Sequence, residues 1–87
     1  MDNAEKAVRY AREHSADFVS DLKDLARIPS VSFPGFDPKN VEASAEAVAA
    51  LLKRSGLENV EILSLPGAHP YVYGDWLHAA GAPTLLL

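Results

Sequence analysis

Three histidines are the first residues in this chain whose side chains could ligate a metal or move a proton. His14, His69 and His78 are widely separated, and none belongs to a helical two-histidine motif of the kind that grips zinc. Asp75 and His78 are the closest acid and imidazole, placed so that Asp75 could orient the ring through a hydrogen bond. A three-residue spacing has no ligand geometry outside a helix, so the plain expectation is an exposed acid beside a turn histidine. His14, on or beside an apolar helical face, is expected to be a partly buried, hydrogen-bonded core histidine. Ser30 and Ser32 lack the glycine-flanked elbow of a serine nucleophile and a nameable base, which leaves them as loop serines bonding local backbone. Gly67, Gly74 and Gly81 are too isolated to cradle a phosphate. Phe33 and Phe36 bracket Pro34 and Gly35, and either line a substrate mouth or, the favoured expectation, pin their loop onto the sheet. No catalytic, cofactor-binding or metal-ligating set emerges from these residues.

The elements that must position them are clearer. Ala4, Ala7, Val8, Ala11, Phe18, Leu22, Leu25 and Ala26 recur at three- and four-residue steps, predicting one long amphipathic helix over 3–27, with room for a kink. Asp2 followed by Glu5 has the form of an N-terminal cap, and Pro29 drives Ile28 out of helical geometry. Residues 28–37 form a loop rich in turn formers. A second helix is predicted over 38–55: Asp37 caps it, Pro38 occupies its first position, and Val41, Ala45, Val48, Ala49 and Leu52 form its buried stripe. Gly56 ends it, with Lys53 and Arg54 complementing its dipole.

Beyond Gly56 the period shortens, predicting strands over 60–65 and 71–76 separated by Pro66 and Gly67. The short connection 78–82 is expected to return the chain for a third strand over 83–87. Its leucines do not alternate with polar residues, as in strands covered on both faces. The predicted fold class is therefore α/β, with two amphipathic helices packed on a three-stranded, largely antiparallel piece of a larger mixed sheet. An apolar end with no polar tail gives the chain the look of the first part of a larger catalytic domain. If it stands alone, its last strand offers an edge for self-association.

Composition narrows the function classes. Nearly half of the 87 residues are apolar and the formal net charge is -4, with Lys and Arg scattered among carboxylates, so nucleic acid is not an expected partner. There is no cysteine, which removes disulfides and thiolate metal sites and makes a cytoplasmic location the simplest expectation. No segment has the pattern of a signal peptide or the length of a membrane span.

Several strings together resemble the N-terminal segment of the zinc metallopeptidase family that includes carnosine and other dipeptidases, acetylornithine deacetylase and glutamate carboxypeptidase. They are Leu22-Lys23-Asp24-Leu25-Ala26-Arg27-Ile28-Pro29-Ser30-Val31-Ser32, then Leu51-Leu52-Lys53-Arg54-Ser55-Gly56-Leu57 with Val60-Glu61-Ile62. His69-Pro70-Tyr71-Val72-Tyr73-Gly74 and Gly81-Ala82-Pro83-Thr84-Leu85-Leu86-Leu87 complete the set. The resemblance spans essentially the whole chain and looks most like the dipeptidase branch. It implies a parent that hydrolyses a peptide or amide bond at a two-zinc site. In such families the leucine strand leads into a Gly-His-x-Asp sequence carrying the first zinc ligand, and a later glutamate acts as general base. None of those positions falls on His14, His69 or His78, so the resemblance implies zinc in the parent, none bound by this chain, and the remainder of the catalytic domain as its partner. The alternative reading, from the apolar end, is a small strand-pairing or self-associating interaction module.

Overall fold

The computed structural model describes residues 2–87. Its order is α1 (Asn3–Glu13), α2 (Ser15–Ala26), α3 (Pro38–Arg54), β1 (Glu58–Leu63) and β2 (Tyr71–Asp75), an α/β arrangement of three helices and one antiparallel two-stranded sheet.

Local chemistry sets most of these boundaries. The Asp2 carboxylate accepts from the Glu5 amide at 2.8 Å, satisfying a donor that the first turn of α1 leaves free. The long helix predicted over 3–27 is interrupted at His14, whose backbone (φ -110°, ψ 12°) leaves the helical well; α1 and α2 are therefore two helices joined nearly end to end. After α2, Ser30 N–H donates to the Ile28 carbonyl and Val31 N–H to that of Pro29. These tight three-residue turns bend the chain where Pro29 forbids helix.

Helix α3 starts at Asp37, which accepts from the Lys39 amide at 3.0 Å, with Pro38 in the first turn. It ends in a Schellman arrangement: Gly56 N–H donates to the Lys53 carbonyl and Leu57 N–H to that of Leu52. Gly56 takes the left-handed conformation this requires (φ 93°), a well closed to most side chains.

The core lies between α3 and the hairpin. Ala45 and Ala49, 7 and 8% exposed, are the buried residues among those described, with Val41, Val48, Leu52, Val60 and Val72 half-buried around them. Gly74 permits the close approach: a Cβ there would lie 3.3 Å from Leu52 Cδ1 and 3.4 Å from Val60 Cγ2. In the hairpin Ile62 opposes Val72, Leu63 opposes Tyr71 and Glu61 opposes Tyr73, and the register slips between Glu58 and Glu61. That bulge places Asn59 at φ 51°, a conformation Asn tolerates better than most residues.

Three expectations are corrected. Residues 83–87 form no strand: Ala82 N–H closes a turn onto the Ala79 carbonyl, and Leu85, Leu86 and Leu87 then run on almost fully exposed, unpaired with the hairpin. An apolar run indicates a segment that benefits from cover, but pairing needs an edge presented at the right distance and direction. Second, only α3 packs on the sheet. Helix α2 touches α3, where Arg54 Nη2 donates to Asp21 Oδ1 at 2.9 Å, and α1 touches α2 alone. Third, the two strands span 58–63 and 71–75, so the first begins two residues before its predicted start at 60, because the bulge carries the ladder back to Glu58.

The result is open and long. The chain extends 51 × 31 × 18 Å, with a radius of gyration of 15.9 Å against about 12 Å for a compact domain of this length. Its accessible surface is 7332 Å², where a compact monomer of this mass exposes about 5,000 Å². Among the described residues no helix is long and apolar enough to cross a membrane.

Candidate functional site: the polar cluster at the open end of the hairpin

The densest set of polar side chains sits where β1 begins and β2 ends. The bulge turns Asn59 so that its Nδ2 donates to both oxygens of Asp75, at 3.0 and 3.3 Å. Tyr73, two residues earlier on the same face of β2, donates its hydroxyl to Asp75 Oδ2 at 2.8 Å. Beyond β2 the chain folds over the start of β1, and His78 Nε2 donates to Glu58, 2.6 Å from Oε1 and 2.9 Å from Oε2. The edge of His78 meets the Trp76 ring, with centroids 5.2 Å apart.

Asp75 therefore does not orient His78. Each has its own partner, and the imidazole that could have been held by the nearer acid is held by Glu58, twenty residues back. Glu58, Asn59 and Tyr73 were not among the residues that the sequence suggested. Asn59 was the legible clue, since an Asn after a helix-ending Gly-Leu-Glu run is suited to a left-handed bulge. The Glu58–His78 pairing depends on the path of residues 76–78, which no local pattern states.

One ionisation in this cluster is displaced. The Tyr73 phenol is held above its ordinary range, first by its hydrogen bond to the Asp75 carboxylate and then by that carboxylate's negative charge, with smaller contributions from burial and from Glu61. An acid made harder to ionise while it donates to a carboxylate works as a stable hydrogen-bond donor. The cluster thus fixes the bulge and the direction in which the chain leaves β2.

The other residues singled out by sequence lie apart. His14 Nδ1 donates to the Tyr10 carbonyl at 2.9 Å and its ring stacks on Tyr10 at 3.9 Å; it is partly buried, as expected, but by its own helix rather than in a core. His69 Nε2 donates to the Ser32 carbonyl at 3.1 Å, joining the hairpin turn to the loop between α2 and α3. Ser30 lies in a shallow groove with Val41, Ser44, Val48, Pro70 and Val72, between α3 and the hairpin. Phe33 and Phe36 are exposed at the loop tip, where Phe36 N–H closes a turn onto the Phe33 carbonyl, so neither pins the loop to the sheet. Gly67 and Gly81 occupy turns and Gly74 the helix–sheet contact.

Zinc in a protein site takes three or four nitrogen, sulfur or oxygen donors within about 2.3 Å. Among the described residues no three of His, Asp and Glu converge on one point, and Glu58 with His78 supplies a pair already bonded to each other. As placed, the described residues do not assemble a zinc site. No protein-family model, curated protein or solved structure matches the chain.

Proposed function

We propose that this chain is the N-terminal scaffold portion of a dinuclear zinc dipeptidase or related amidohydrolase, whose peptide- or amide-cleaving residues lie outside these 87 residues. The observation that carries the reading is where the family-like strings fall along the fold. Leu22 to Ser32 spans the end of α2 and the bend after it, and Leu51 to Leu57 spans the cap of α3. Val60 to Ile62 lies in β1, and His69 to Gly74 leads from the turn into β2. The first, second and last of these are junctions, where sequence is constrained by backbone geometry rather than by bulk apolarity, whereas Val60 to Ile62 lies within the strand.

The surface left open is compatible with that role. Leu63, Tyr71 and Tyr73 lie exposed on the sheet face opposite α3, and a sheet within a larger α/β domain has such a face covered by further elements. The role of this chain's own residues is mechanical: α3 and the hairpin hold a rigid platform, and the cluster around Asp75 directs the segment that leaves it. In the isolated 87-residue chain neither tightly bound zinc nor dipeptide hydrolysis is expected.

The test is to read the gene past Leu87 and to express the chain with and without its encoded continuation. A Gly-His-x-Asp sequence, with zinc-dependent dipeptide hydrolysis in the longer protein only, is the expected result. A stop codon after Leu87, or stoichiometric zinc or turnover in the 87-residue chain, overturns the reading.

A further inference from the structure

No further inference is drawn: the strongest candidate, the apolar patch of Leu63, Tyr71 and Tyr73 on the sheet face opposite α3, has nothing in the structure to show what covers it.

Discussion

Asp75 carries more of the hairpin's open end than any neighbouring side chain, because one carboxylate accepts from Tyr73 on its own strand and from Asn59 across the bulge. Its charge sets the sign of a measurable effect. The folded-state value of Tyr73 lies above the unfolded one, so the protonated phenol's contribution is complete below the unfolded value, about 10, and is lost as pH rises through the raised folded value. Spectrophotometric titration should show Tyr73 ionising above the ordinary phenol range, and Asp75→Asn should return it toward that range. Tyr73→Phe should remove that transition altogether. The Glu58–His78 bond is shorter but more exposed, with more than half of each side chain open to water. Water competes for such exposed contacts, so Glu58→Gln should cost less than about 1 kcal/mol in denaturant unfolding.

At the scale of elements, stability is concentrated where α3 meets the hairpin. Gly74 is the narrowest point, and Gly74→Val would drive branched carbons into Leu52 and Val60; a loss of about 1–3 kcal/mol is expected, partly relieved when Leu52→Ala makes room. Asp37→Ala removes the cap of α3 and should cost about 1 kcal/mol, read as a lower unfolding midpoint. The same elements were the legible ones. Asp2, Asp37, Pro38 and Gly56 each announce a boundary through local geometry, and the boundary falls within a residue or two. The break at His14 was less visible, since the apolar spacing continues across it and only the backbone departs. Residues 83–87 were misread because Leu85–Leu87 state a preference for burial and carry no information about which neighbour provides it. The candidate site was legible only in part, as Asp75 and His78 were visible by type but their partners are fixed by the bulge and by the chain's path after β2.

For the whole molecule, the decisive feature is uneven cohesion. The α3–hairpin unit holds the two buried alanines, α2 leans on it through Asp21 and Arg54, and α1 has only α2 for support. Native-state hydrogen exchange should track that gradient, with amides of α3 and the inner hairpin slowest and those of α1 exchanging orders of magnitude faster. The closeness of α3 and the hairpin along the sequence has a kinetic consequence. Only Ser55, Gly56 and Leu57 separate the helix from β1, and residues 64–70 separate the two strands, so the unit closes through short loops whose entropy cost is small. Chains built from such near-neighbour contacts fold in microseconds to milliseconds, whereas synthesis adds only about 5–20 residues each second. The platform can therefore assemble during translation, soon after Asp75 leaves the ribosome.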